Sequence, residues 1–148
     1  MSKPIILLDL NFTLVSDSEL KDTQRGSFAQ KIALENYRQW LVDLMRPYTV
    51  LLCTVRPIRY QAQTLARIAA LTGWQPQEAY FNSTGNWRGY IVKAAYLEQH
   101  IFPKHGTPDA QPYYAIESSV YTKRMYIERG IPAKSILQGE VWTALPFS

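Results

Sequence analysis

Residues 4–13 read Pro-Ile-Ile-Leu-Leu-Asp-Leu-Asn-Phe-Thr, and a run of this kind leaves a chain few ways to fold. Ile5 through Leu8 are apolar without interruption, so no alternation sets one face toward water. A short run that is apolar on both faces reads as a strand in the interior of a sheet, and such strands belong to parallel α/β sheets covered on both sides. The run stops at Asp9, which puts a carboxylate at the strand's carboxyl end, the edge where open α/β sheets bind their ligands. A carboxylate leaving a buried strand requires a metal, a cation or a reacting phosphate as company, because its desolvation is otherwise uncompensated. The plainer role for such an Asp is to cap the following turn.

The remainder alternates in the same style. Tyr48–Thr54, Glu78–Asn82, Pro112–Glu117 and Ser135–Gln138 are further strands by composition. Between them, apolar residues recur at helical spacing. Ser27 caps a helix carrying Leu34, Tyr37, Leu41 and Leu44 and closed by Pro47. Pro57 suits the first turn of a second, with Ile58, Ala62, Leu65 and Ala69, ended by Gly73. Tyr90, Ala94, Leu97 and Ile101 mark a third, followed by a loop from Pro103 to Pro112, and a fourth runs to Gly130. Residues 16–26 are a polar loop over the carboxyl end of the first strand. Strand and helix in alternation predict a doubly covered parallel sheet.

With 148 residues, 47% of them hydrophobic, the chain can bury one core and hardly two, so residues 1–148 are expected to be a single domain. The N-terminal apolar run ends too soon for a signal peptide or a membrane span. One cysteine, Cys53, inside an apolar strand excludes an internal disulfide and points to a buried thiol in a reducing, cytoplasmic compartment. The formal charge of +4 favours anionic partners without selecting nucleic acid.

Parallel strands all end on one edge, so Asp9, Thr54 and Glu117 are expected to meet there, with Lys93 reaching the same edge from the third helix. Two carboxylates, a hydroxyl and an ammonium make a site for a hard cation such as Mg²⁺ and for a phosphate group. Asp9 is then a nucleophile toward phosphorus, giving an acyl phosphate that water opens.

Asp9-Leu10-Asn11-Phe12-Thr13-Leu14 resembles the first motif of the haloacid dehalogenase (HAD) superfamily, usually Asp-x-Asp-x-Thr. Thr54, Lys93 and Glu117 follow in the order and spacing of that superfamily's second, third and fourth motifs. Residues 92–101, 114–119 and 125–131 are similar to the 3′-phosphatase domain of bacteriophage-type polynucleotide kinase-phosphatases, and Thr54-Val55-Arg56 resembles that group's Ser-Gly-Arg. The resemblance implies a HAD-like Rossmannoid three-layer sandwich with a central parallel sheet. It implies catalytic roles for Asp9, Asn11, Thr54 and Lys93, and phosphate contacts from Thr54, Val55, Arg56 and Lys93. It also implies Mg²⁺ held by Asp9, Asn11 and Glu117-Ser118. Residues 11–26 and 82–88 are too short to hold the cap domain common in the superfamily. The uncapped site is then open to a bulky phosphorylated molecule or nucleic-acid end, or is covered by a second subunit.

Two departures bear on activity. Where the superfamily's phosphatases carry a second Asp that moves the proton, this chain has Asn11, whose amide donates hydrogen bonds but shuttles no proton. Where the fourth motif resembles Asp-Asp, it has Glu117-Ser118. The expected function is a weakened Mg²⁺-dependent phosphomonoesterase acting on a nucleotide or polynucleotide end, and the alternative is an inactive relative that binds phosphorylated ends or a protein. Trp87 beside Arg88 offers a base-stacking pair, although loop aromatics more commonly fold onto the core. His100 and His105 have no partner at metal-ligand spacing, and Trp40 and Met45 read as core.

Overall fold

The computed structural model describes residues 3–21 and 26–147. Its centre is one five-stranded sheet, with β1 Ile5–Leu8, β2 Val50–Pro57, β3 Glu78–Asn82, β4 Tyr113–Ile116 and β5 Ala133–Lys134 in the order β3-β2-β1-β4-β5. Every adjacent pair is parallel. The helices are α1 Ser18–Lys21, α2 Phe28–Ile32, α3 Gln39–Met45, α4 Gln61–Thr72, α5 Gly89–Tyr96, α6 Phe102–His105 and α7 Val120–Glu128. The chain builds outward from β1 to β3, then returns past β1 to lay down β4 and β5. That reversal puts the topological switch point between β1 and β4, where the crevice of an open α/β sheet forms.

Strand alternation divides the core into two layers. Ile6, Leu8, Val50 and Leu52 point to the side of α3 and α4, where Leu41, Met45 and Ile68 meet them. Ile5, Leu7, Leu51 and Cys53 point to the other side, onto Val92 and Tyr96 of α5 and Met125 and Tyr126 of α7. The expected three-layer α/β architecture with a central parallel sheet is thus what the chain adopts.

Several boundaries differ from the sequence reading. The helix expected from Ser27 through Leu44 is two helices. Ser27 does cap α2 through a reciprocal pair of bonds with Gln30. The chain then leaves the helix so that Asn36 can bond Asp17 and its carbonyl can take the Ser16 N–H, while Tyr37 bridges to Val15. Leu34, read as a core position, is consequently exposed. Pro57 closes β2 instead of opening a helix, which begins at Gln61 after a short turn. Its missing N–H is tolerated there because the β2–β3 register shifts between Cys53 and Pro57. The helix after β3 does not stop before Pro103. A wide turn over Leu97–Ile101 keeps both of those residues fully buried and leads directly into α6, with Pro103 in its first turn where no donor is needed. The last strand lies at 133–134 rather than 135–138, because pairing with Ala115 and Ile116 uses the residues immediately after the α7 turn. The expected loop 16–26 contains α1, and residues 22–25 of it lie outside the described residues.

The break between α2 and α3 also turns Glu35 inward. Its carboxylate receives both Nη atoms of Arg56, at 2.8 and 2.9 Å, with both side chains fully buried, and the Tyr37 hydroxyl donates to it at 2.9 Å. Removing one member of such a pair strands a charge in the interior, which costs about 3–5 kcal/mol. Glu35→Ala should therefore lower the denaturation midpoint by that order of stability. Asp43→Ala, which removes the exposed pair with Arg46, should move the midpoint little, because solvent screens that pair. Equal losses in the two variants would show that the buried pair does not hold this connection to β2.

Candidate active site

Register alone brings the two strand-end acids together. Leu8 pairs with Ile116, and the Asp9 N–H continues the ladder to the Ile116 carbonyl at 3.0 Å, so Asp9 and Glu117 leave neighbouring strands side by side. Both are in phase with Leu7 and Ala115 and point to the α5 side of the sheet. Lys93, in the middle of α5, descends between them. Its Nζ lies 2.9 Å from Asp9 Oδ1 and 2.5 Å from Glu117 Oε1, and all three side chains are buried.

The chain after Asp9 folds back on that carboxylate. Residues 10–14 form a wide turn in which the Val15 N–H reaches the Leu10 carbonyl, and Phe12 adopts φ 62°, ψ 6°. A non-glycine residue in the left-handed region costs of order 1–3 kcal/mol. The Ser18 hydroxyl, accepting from the Phe12 N–H at 2.7 Å, helps hold it. The turn delivers the Thr13 hydroxyl to Asp9 Oδ2 at 3.0 Å. Ser118, next to Glu117, supplies its hydroxyl to the same oxygen at 2.7 Å and its N–H at 3.3 Å. Oδ1 accepts from the Leu10 N–H at 2.9 Å as well as from Lys93.

These surroundings push the acids apart. Burial raises the Asp9 carboxyl, but the Lys93 charge and the hydrogen bonds from Lys93 and Ser118 outweigh it and hold Asp9 below the ordinary Asp value. Glu117 moves the other way, pushed up to about 7 by burial and then by the Asp9 charge, against the pull of Lys93. Burial opposes charge on Lys93, yet the two carboxylates together keep it above the ordinary lysine value. At neutral pH the site therefore contains an ionised Asp9 beside an ionised Lys93. They line an open cleft of about 180 Å³, with Asn11, Thr54, Val55 and Thr122 among its walls.

Thr54 stands at the cleft with its carbonyl held by the Tyr96 hydroxyl at 2.8 Å. Val55 is half-buried on the α5 side, 3.8 Å from where a Cβ on Gly89 would sit. Arg56 departs from the sequence reading. One residue further along β2, it points to the opposite face, is 2% exposed, and gives its guanidinium to Glu35, to the Thr64 hydroxyl and to Asn11 Oδ1 at 3.0 Å. It holds Asn11 from behind rather than presenting itself to a phosphate. The physical reason is Glu35, whose buried carboxylate offers a bidentate partner that the spacing of residues 54–56 does not reveal.

The same geometry sorts the oxygens expected from the sequence to hold a metal ion. Asp9 and Glu117 stand close enough to share a cation, and the cation they share is the Lys93 ammonium. The second Glu117 oxygen accepts from the Ser119 N–H at 3.0 Å. The oxygens that converge outside this pair are Asp9 Oδ2, the Asn11 carbonyl and the Ser118 hydroxyl, the last 2.7 and 3.4 Å from the other two. All three are donors of the kind Mg²⁺ takes, and one carboxylate with neutral oxygens suits an ion whose remaining ligands come from phosphate and water. Among the described residues, no group of three or more His, Cys, Asp and Glu side chains is placed to hold a metal ion.

The sequence reading passed over Glu35 and Gly89 and gave Thr13 no role of its own. Thr13 had a signal, since it closes the first motif. Gly89 lets α5 approach α7, because a Cβ there would lie 3.0 Å from Thr122 Oγ1. Nothing local marks Glu35 as a buried acid. Trp87 also differs from its expected place: it is 74% exposed, with the Arg88 guanidinium 5.2 Å from its ring centre.

No protein-family model matches the chain, and no curated protein sequence does. Solved structures do share its fold. A chain in the structure of the Pnkp1/Rnl/Hen1 RNA repair complex superposes with a TM-score of 0.70 at 16% identity, over 90% of this chain and 42% of that one. A chain in the structure of the Pnkp1/Rnl/Hen1 complex gives 0.68 at 16%, over 95% and 48%. This chain thus spans less than half the length of either, and the likeness is one of fold.

Proposed function

We propose that the chain is a HAD-like phosphomonoester hydrolase acting through an aspartyl phosphate on Asp9, with a nucleotide or nucleic-acid 3′ end as substrate. The observation that carries this reading is the buried Lys93 ammonium between Asp9 and Glu117, at the switch point of the sheet and beside an open cleft. It keeps Asp9 anionic and aimed while supplying positive charge where phosphoryl oxygens gather negative charge. The Asp9 carboxylate forms the new bond to phosphorus as the ester oxygen departs, and water then cleaves the acyl phosphate and restores Asp9. Thr54 and Lys93 donate to the transferring group. Mg²⁺, held by Asp9, the Asn11 carbonyl and Ser118, would neutralise part of that group's charge. The buried Cys53 thiol accords with a reducing, cytoplasmic setting, and no helix among the described residues is long and apolar enough to cross a membrane.

Asn11 motivates a second reading, in which the cleft binds phosphorylated ends without turning them over. Its amide cannot protonate a departing alkoxide, so the two readings separate by leaving group. An enzyme lacking only that proton should hydrolyse an aryl phosphate measurably and a nucleoside 3′-phosphate poorly. Asn11→Asp should then raise the rate on the 3′-phosphate by about 10²-fold or more, and the aryl rate by less. Asp9→Ala should abolish both. Phosphate binding with no hydrolysis by either the parent chain or Asn11→Asp would establish the binding role.

Two titrations test the site itself. Lys93→Ala should remove detectable binding of inorganic phosphate, whereas Lys104→Ala, at the far end of α6, should leave it unchanged. Equal effects would make Lys93 an ordinary cation. Ser118→Asp adds a second carboxylate beside Asp9 Oδ2 and should tighten Mg²⁺ about tenfold or more by calorimetry, without substrate present. An unaltered Mg²⁺ affinity would place the ion elsewhere.

A further inference from the structure

The rim of the cleft carries more exposed aromatic surface than a solvated rim requires. Phe12, half exposed, lines the cleft, and Tyr90 and Tyr121, the latter 65% exposed, adjoin its Gly89 and Thr122 walls. The last two are there because α5 and α7 begin at the site. Gly89 and Thr122 line the cleft, and the residues beside them, Tyr90 and Tyr121, have ring centres 6.5 Å apart with planes tilted by 46°. From these rings a groove of about 800 Å³ runs away between the two helices, over Ala94 and Met125.

Charge along the groove is graded. Toward the cleft, Arg124 lines the groove one turn beyond Tyr121, and Arg88, over the Trp87 ring, immediately precedes α5; neither forms an ion pair among the described residues. At the far end Arg129 is tied to Glu98 at 3.0 Å, and Glu128 adds a second carboxylate. A cationic, aromatic end next to a phosphate-sized cleft and an acidic end away from it suit a short polyanion that carries flat rings. From Tyr90 to Glu98 the helix advances about 12 Å, enough for a short stretch of strand.

We propose that Tyr90 and Tyr121 form a stacking platform for the bases adjoining a terminal phosphate held at Asp9, so that the ligand is a single-stranded nucleic-acid end. The platform rests on the terminal-phosphate reading above. Every base offers a π face, so such stacking accepts any sequence, and loss of an aromatic partner weakens binding by roughly 5- to 150-fold per base. In a duplex the base faces are already stacked on neighbouring pairs, which leaves only the terminal pair open to the rings.

The test is fluorescence anisotropy at one fixed salt concentration, with a short 3′-phosphorylated oligonucleotide in ribose and deoxyribose forms. The controls are the same strand ending in hydroxyl and the same strand made abasic at its last positions. The variants are Tyr90→Ala/Tyr121→Ala and Tyr90→Phe/Tyr121→Phe, whose exposed positions leave the core intact. The Ala pair should lose about tenfold or more on the base-bearing strand and nothing on inorganic phosphate, while the Phe pair retains binding. The parent protein should discriminate against the abasic strand to a similar degree. Equal binding of the abasic strand, or undiminished binding by the Ala pair, would overturn the platform and leave the patch for a protein partner. A loss in the Ala pair with no preference for phosphate over hydroxyl would uphold the platform and overturn the terminal-phosphate reading.

Discussion

A lysine buried between two carboxylates is the interaction on which this site depends. Neither acid is tenable alone at the carboxyl ends of interior strands, since an unpaired buried charge costs several kcal/mol. Lys93 makes both tenable, and it can do so only from the middle of α5, one helix beyond β3. The crossover, the register of β1 on β4 and the helix packing are all needed to assemble one ammonium and two oxygens. The arrangement leaves Glu117 raised and Asp9 lowered, so of the two acids lining the cleft Asp9 holds its charge more firmly.

A second buried ion pair works on the opposite face. Arg56 and Glu35 close the gap left where the chain abandons a helix between α2 and α3, and Arg56 then reaches Asn11. Asn11 is thus held from behind by a cation that already has a carboxylate partner. The two pairs lie on either side of β1 and β2, one against α5 and one against α4, and between them they fix the backbone that carries Asp9 and Asn11.

Much of this was legible in the residues. The apolar run at 5–8 identified the central strand, the same type of run at 50–53 its neighbour, and the polar residues ending the strands marked the edge where they meet. Asp9, Thr54, Lys93 and Glu117 do converge, as the parallel sheet required. The breaks were less legible. Leu34 keeps helical spacing with Leu41, yet the helix between them is interrupted, because hydrogen bonds of residues 14–17 with 36–38 are contacts that no window of sequence contains.

What the sequence determined by itself is the architecture and the residue types gathered at its edge, because periodicity and strand-end residue type are local properties. Tertiary structure decided the partners. Arg56 follows Thr54 closely enough to pass for a phosphate ligand, but a buried Glu35 21 residues earlier takes its guanidinium. Ser118, rather than Glu117, shares Asp9 Oδ2 and the Asn11 carbonyl, because Lys93 occupies the longer acid. In each case the outcome follows from which charges are desolvated together. That is set by packing between segments far apart in the chain.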